Sequence, residues 1–399
     1  MLYCHDALGL GHVRRSLAIA GSALAARSDL AALLVTCSPL IDSLPIPQGL
    51  DYVKLPSARK TDDRRYAPRT LRIEEARYWA LRSQLLRSAA MAFEPDLLLV
   101  DKSATGLQDE LVDILHELRG SGRARLALGW RDILDSPDRI RAEWSDSGTL
   151  AWVERLYDEI WVYGDPKVFD LRVNHGLPRA IVDRMQYLGY LAPRVDPEAR
   201  ARARARISPD GRPVALVTAG GGEEGESLLH CYLEAARRRR LPRSLRSVVV
   251  TGPFLSREGQ GRLSAAAPAG VRVLRFVPGL ESLIAAADVV VGRAGYNTVC
   301  EVLGAGTPAV LVPRVLHREE QRIRARRLRE LGVADSLEPD SLTPGVLAGA
   351  VKQALARGRA RTGVLRIDGL QRAAQRAALL SSGSLVGDEE LRVHGGGKR

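Results

Sequence analysis

The stretch Asp288-Val-Val-Val-Gly-Arg-Ala-Gly-Tyr-Asn-Thr-Val-Cys-Glu301 runs on as Gly304-Ala-Gly-Thr-Pro-Ala-Val-Leu-Val-Pro313, then to His317 and Gln321. Val289 to Val291 is a β-branched run, the pattern of a parallel strand covered on both faces. Gly292 and Gly295 allow a sharp turn and a close approach to the backbone. Asn297 and Thr298 open a helix whose free N–H groups and dipole favour an anion. Glu301 sits about one turn further on, placed to accept hydrogen bonds from paired hydroxyls. Gly304 and Gly306 are expected to end the helix, Pro308 forbids its continuation, and Ala309 to Val312 form the next strand. A phosphate at a helix N-terminus with an acid for sugar hydroxyls describes a nucleotide site. An ordinary βαβ unit with turn glycines has the same local pattern.

The same alternation extends through the second half of the chain. Pro213 to Thr218 reads as a strand feeding Gly220-Gly-Gly-Glu-Glu-Gly225 and a helix from Leu228 to Arg239. Gly220, Gly221 and Gly222 could form a backbone nest for phosphate, although Glu223, Glu224 and Glu226 would repel a dianion if they pointed inward. Strands at 247–251 and 271–276, a helix at 280–287 and a helix at 319–330 complete this half. The first half repeats the scheme, with a very short strand at 2–4, the loop His5-Asp-Ala-Leu-Gly9-Leu-Gly11-His12 and a helix spaced by Leu17, Ala20 and Leu24. Further strands are expected at 30–36, 52–55, 95–101, 126–130, 159–163 and 185–188. Ligands of open parallel sheets bind beyond the carboxyl ends of strands, which marks His12, Asp101, Lys102, Arg131 and Asp132 as cleft candidates. A capping histidine and surface turn residues are the alternative readings of these positions.

These patterns predict an α/β protein with two Rossmann-like, doubly wound domains facing a central cleft. Residues 1–190 form the first domain, 191–212 a Pro- and Ala/Arg-rich linker whose Ala/Arg stretch can form one short solvated helix, and 213–364 the second domain. An amphipathic helix at 365–380 and a loose tail at 381–399 follow. The 399 residues suffice for two or three domains, and 45% hydrophobic with 27% charged residues suits a globular chain. No apolar run approaches the length of a membrane span, and the start reads as lacking a signal peptide, so a cytoplasmic location is expected. The brevity of the first strand hints at a start codon slightly upstream. Four cysteines at 4, 37, 231 and 300, without CxxC spacing, fit reduced thiols and indicate no metal scaffold. The net charge of +12 raises a different class, a nucleic-acid or membrane-surface binding protein. Only 5% of the residues are aromatic and no nucleic-acid-binding motif occurs, so solvated arginine-rich helix faces account for the charge.

The residues Gly292 to Glu301, with Gly304-Ala-Gly-Thr-Pro, Pro313, His317 and Gln321, resemble the donor-site signature of MurG-like glycosyltransferases of GT-B fold. Gly9-Leu-Gly11-His12-Val-Arg14 is similar to the N-terminal glycine loop of that group, and Gly220 to Gly222 to its second glycine loop. The resemblance implies a metal-independent, inverting transfer of a sugar from a nucleotide-diphosphate sugar, with UDP favoured, to a hydroxyl acceptor. A hexosyl- or N-acetylhexosaminyltransferase working on a small-molecule or lipid-linked acceptor is implied, with no cofactor, no nucleic acid and peripheral contact with a membrane surface. Glu301 would hold the ribose, and Arg293, Ala294, Gly295, Asn297 and Thr298 would face the diphosphate. Phe276 and Val277 would border the base, and His317 and Gln321 the sugar. Gly9, Gly11 and His12 would approach from the other domain. His12 is the candidate base, with Asp101 and Asp132 as further candidates. The chain departs from the family at Glu223, Arg322 and Arg324. A nucleotide-sugar hydrolase or 2-epimerase on the same fold is the alternative activity, and a nucleotide-sugar-binding pseudo-enzyme is another.

Overall fold

The computed structural model describes residues 1–5, 10–61, 65–221, 225–314, 318–359 and 362–382. Gly9, Gly222, Glu223, Glu224, His317 and the tail beyond Ser382 lie outside the described residues. The strands are β1 (Leu2–Cys4), β2 (Ala32–Thr36), β3 (Leu50–Lys54), β4 (Ala58–Lys60), β5 (Tyr66–Pro68), β6 (Leu97–Asp101), β7 (Arg125–Arg131), β8 (Glu159–Tyr163) and β9 (Met185–Tyr187). In the second half they are β10 (Val214–Thr218), β11 (Arg246–Val250), β12 (Val271–Leu274), β13 (Val289–Gly292), β14 (Ala309–Leu311) and β15 (Asp335–Ser336).

Two parallel sheets carry the molecule. The first runs β3-β2-β1-β6-β7-β8-β9 and the second β12-β11-β10-β13-β14-β15, while β4 and β5 form a small antiparallel hairpin. In both sheets the chain order reverses beside the first strand, between β1 and β6 and between β10 and β13. In open parallel sheets such a reversal is where the loops leaving the strands diverge and a ligand crevice opens. The apolar runs explain the sheets directly. Val289, Val290 and Val291 are all fully buried, as are Val214 to Val217. Each such side chain contributes roughly 1.5–3 kcal/mol by leaving water.

One apolar core fills the first domain and continues across to one face of the second sheet, through Leu216, Val248, Val290 and Leu311. A separate cluster covers the opposite face, with Val217, Val249, Val291 and Val310 against Leu229, Tyr232, Leu347 and Val351. The continuity of the first core couples the two domains through packed side chains.

One local expectation is met in sharper form and one is revised. Residues 197–207 of the linker form a helix, started by the Asp196 carboxylate accepting from the Glu198 N–H at 3.0 Å. It packs on the helix Leu280–Ala286, burying Ala203 and Ile207, and Arg204 bonds Asp288 at 2.6 Å. Gly304 does not end its helix, which continues to Ala305 and stops at Gly306 with φ +62°. A Cβ at 304 would stand 2.5 Å from the Pro193 carbonyl oxygen, so glycine is needed there for the linker to cross. The last helix, Gly369–Ser381, lies along the helix Gly11–Ala26 of the first domain. The Ser22 hydroxyl donates to the Leu370 carbonyl at 3.0 Å, and Arg376 Nε bonds Glu159 at 2.9 Å.

Candidate functional site

The first-domain part of the site lies at the carboxyl ends of the paired strands β1 and β6. Asp101 is the last residue of β6, paired in register with Cys4, and His12 is the second residue of the helix Gly11–Ala26. His12 Nδ1 bonds Asp101 Oδ2. Arg15, one turn on, closes over the same carboxylate from Nε at 3.1 Å and from Nη2 at 2.8 and 2.7 Å. The guanidinium lies between the rings of Tyr163 and Tyr296, 5.7 and 5.6 Å from their centroids.

Burial alone would raise the Asp101 pKa, but Arg15 and His12 overcome it and hold the carboxyl well below the usual carboxylate range. Burial lowers His12 to about 4, against the pull of Asp101 and with further lowering by Arg15 and Lys102. His12 is therefore neutral at pH 7. An ionised carboxylate accepts only, so the Asp101 bond favours the proton on Nδ1 and leaves the Nε2 lone pair to take another. Arg15 Nη2, 2.9 Å from the same Nδ1, is then a close neighbour and not a donor to it. The His5 ring lies 4.8 Å from that of His12, tilted by 43°, and burial pushes its pKa down as well.

Facing this pair, β13 ends at Gly292 and Gly295 precedes the helix Tyr296–Ala305. The first N–H groups of a helix have no partner within it, so this end presents donors. The Asn297 amide donates to the Gly11 carbonyl at 3.1 Å, which brings the two glycine turns into contact. Glu301 is 5% exposed and accepts from Arg14 Nη2 at 2.5 Å, with Glu281 3.7 Å from the same guanidinium. Burial raises the Glu301 pKa against the opposing effect of Arg14. The residue expected to hold ribose hydroxyls is thus held by an arginine of the other domain.

The remaining expected residues take varied positions. Gln321, at the start of the helix Glu320–Glu330, accepts from the Arg314 N–H at 3.1 Å and so fixes the loop before it. Arg293 bonds the carbonyls of Val312 and Pro313 at 3.4 and 3.3 Å and Ser227 Oγ at 3.3 Å. Ala294 is buried, with its carbonyl accepting from Arg324 at 2.8 Å. Thr298 lies in the first turn of its helix, half-buried. Gly220, with φ +68°, and Gly221 pack under Gly252, whose Cβ would come within 2.5 Å of the Gly220 oxygen. Phe276 is 44% exposed beyond the end of β12, and Val277 is half-buried against the core.

Asp132 and Asp101 are corrected as candidate bases. Asp132 is fully buried and binds Arg324 Nε and Nη2, both at 2.7 Å, and the Tyr190 hydroxyl at 2.8 Å. It clasps the two domains and has no free face for a substrate. Asp101 is spent on His12 and Arg15, which makes it a partner of the candidate base His12. Sequence reasoning gave no role to Arg14, Arg15 or Arg324. The first two stand beside His12 in the quoted motif, and the third was visible only as a departure from the family. Among the described residues no group of three or more His, Cys, Asp or Glu side chains gathers as a metal site. Nor is any described helix long and apolar enough to cross a membrane.

Residues 215–363 match the Glycosyltransferase family 28 C-terminal domain. One similar protein is the UDP-N-acetylglucosamine--N-acetylmuramyl-(pentapeptide) pyrophosphoryl-undecaprenol N-acetylglucosamine transferase of Paenarthrobacter aurescens. It is 34% identical over 148 residues, covering 37% of this chain and 39% of that one. The demethyllactenocin mycarosyltransferase of Streptomyces fradiae is 31% identical over 232 residues, covering 55% and 47%. The matches thus span less than half the length of these curated relatives. Among solved structures, the glycotransferase of kitacinnamycin superposes with a TM-score of 0.57 at 18% identity, over 95% of this chain and 97% of that one. Residues 215–363 thus resemble a glycosyltransferase family 28 C-terminal domain, in a chain whose two-domain fold superposes on solved glycosyltransferases, the MurG of Acinetobacter baumannii among them at a TM-score of 0.53 and 17% identity.

Proposed function

We propose that this protein is an inverting glycosyltransferase that moves a hexosyl or N-acetylhexosaminyl group from a UDP-sugar to a hydroxyl of a small-molecule or lipid-linked acceptor. The observation that carries this reading is the neutral His12, oriented by Asp101, facing Glu301 and the free helix end at Tyr296 across the interdomain crevice. The UDP preference draws on the relative named for a UDP-N-acetylglucosamine reaction.

In this mechanism the uridine ribose takes the Glu301 carboxylate, displacing Arg14. The diphosphate lies at the N-terminus of the helix Tyr296–Ala305, where N–H groups and dipole stabilise its growing charge. The acceptor hydroxyl attacks the anomeric carbon from the face opposite the diphosphate. A new carbon–oxygen bond forms, the bond to phosphate breaks, and its electron pair leaves with UDP. The acceptor proton passes to His12 Nε2, and Asp101 stabilises the imidazolium that results. Inversion follows from the single displacement.

A thermal-shift series with UDP, dTDP, GDP and their sugars tests this reading, because a ligand that binds only the folded state raises its stability. The expected outcome is a rise with UDP and a UDP-sugar. Rapid stoichiometric sugar release from the donor without an acceptor would replace transfer by hydrolysis, and donor interconversion would replace it by epimerisation.

A further inference from the structure

Lys102 and Arg131 stand at the carboxyl ends of the adjacent strands β6 and β7, beside the His12–Asp101 pair. The Lys102 N–H donates to the Gly129 carbonyl at 2.8 Å, which pins the turn after β6 to the neighbouring strand. Lys102 also holds φ +70°, a left-handed conformation that L side chains rarely adopt and that tends to occur where a side chain must be aimed. Neither side chain makes a hydrogen bond or ion pair among the described residues, and Arg131 Nε is buried without a partner.

The acids around them bond or lie near other cations, although Asp135 Oδ2 and Glu320 Oε2 accept no hydrogen bond among the described residues. Asp101 serves Arg15 and His12, and Asp132 serves Arg324. Asp135 and Glu143 lie 3.5 Å from Arg318, and Asp135 lies 3.4 Å from Arg139. Glu320, the acid from the other domain that acts most strongly on Arg131, lies 3.8 Å from Arg314. Burial and then the charges of Arg131 and Arg318 bring Lys102 down to about 7, against Glu143 and Asp101. Two cations half removed from water without their own anions are costly, and an anion supplied from outside offsets that cost.

We propose that Lys102 and Arg131 form a subsite for an oxyanion, a carboxylate or phosphate, borne by the substrate that approaches His12. The placement beside the base rests on the transferase reading, whereas the binding of an oxyanion does not. The anion comes either from the acceptor or from the donor sugar as a uronate.

The test titrates inorganic sulfate, which does not itself ionise near neutrality, into the full chain with and without saturating UDP. Sulfate is expected to bind alongside UDP. Lys102→Met and Arg131→Met should each weaken it about tenfold, as for removal of one charged partner from an anion. Wild-type binding should weaken as pH rises through about 7, and Lys102→Arg should retain binding without that pH dependence. Equal sulfate affinity in wild type and both methionine variants would overturn the proposal, as would full displacement of sulfate by UDP. Circular dichroism of each variant separates lost binding from lost folding. Comparing UDP-glucuronate with UDP-glucose then locates the anion. A preference for the uronate that Lys102→Met abolishes assigns it to the donor, and equal affinities assign it to the acceptor. A chain that ignores UDP would sink the transferase reading while the sulfate titration still reports on the cation pair.

Discussion

The two sides of the cleft share a topology and divide the chemistry. Each is the reversal point of a parallel sheet, with a helix starting just beyond a strand end. On the first-domain side the working atoms belong to side chains, His12, Asp101 and Arg15, within a tight charge network. On the second-domain side they are mainly backbone N–H groups at Tyr296 to Thr298, with Glu301 as the one committed carboxylate. A backbone cradle holds charge without titrating, whereas an imidazole can take up a proton and give it back. Under the proposed function, proton transfer falls to the first domain and holding of the diphosphate to the second.

The strongest way to break this division is His12→Ala. Loss of a positioned base should reduce turnover by about 10²–10⁴-fold. UDP affinity measured by calorimetry should stay unchanged, and equal losses in both would erase the distinction between the two sides. Next in size is the clasp that joins them. Asp132→Ala leaves the Arg324 guanidinium buried without its carboxylate, and denaturant unfolding should show a loss of about 3–5 kcal/mol.

Acid should also weaken the first domain more than the second. His12 and His175 are both lowered by burial to about 4, against an unfolded value of 6.5. The ring nitrogens of His175 have no hydrogen-bond partner, and it packs against Trp144 and Phe169. Above pH 6.5 both states are neutral, and neither histidine makes stability depend on pH. Between 6.5 and 4 the unfolded chain takes up protons that the folded chain refuses. Stability should then fall by up to about 1.4 kcal/mol per pH unit per histidine. His175→Phe should flatten part of that slope in unfolding curves recorded from pH 7 to pH 4. The smallest effect is expected at Arg14→Met. Freeing Glu301 from a half-exposed arginine should tighten UDP binding by no more than about 1 kcal/mol.

Much of the fold was legible because it is written in contiguous residues. Val289 to Val291 and Val214 to Val217 can only be buried strands, and the glycine turns that follow them mark where the crevices open. The base candidate was legible for the same reason, since His12 sits at a helix start after a glycine loop. Partners distant in sequence were not. Arg14 meets Glu301 across 287 positions, and Arg324 meets Asp132 across 192. No local pattern encodes such pairs, so Asp132 read as a strand-end acid open to substrate. The linker was readable as a short solvated helix, but its packing was not. Its Ala/Arg repeat shows no apolar stripe, because alanine and one isoleucine suffice to pack it on the helix Leu280–Ala286. Gly304 resembled a terminator, and only the Pro193 carbonyl above it explains a glycine inside a helix.

The central claim, that Glu301 holds the nucleotide and His12 moves the proton, is tested most directly by titrating UDP into wild type, Glu301→Ala and His12→Ala by calorimetry. The account predicts that wild type binds UDP and that Glu301→Ala binds it more weakly by about 1.5–3 kcal/mol, the worth of hydrogen bonds to a charged acceptor. His12→Ala should bind as wild type does. Unchanged affinity in Glu301→Ala, or a loss in His12→Ala as large as that expected for Glu301→Ala, would contradict it.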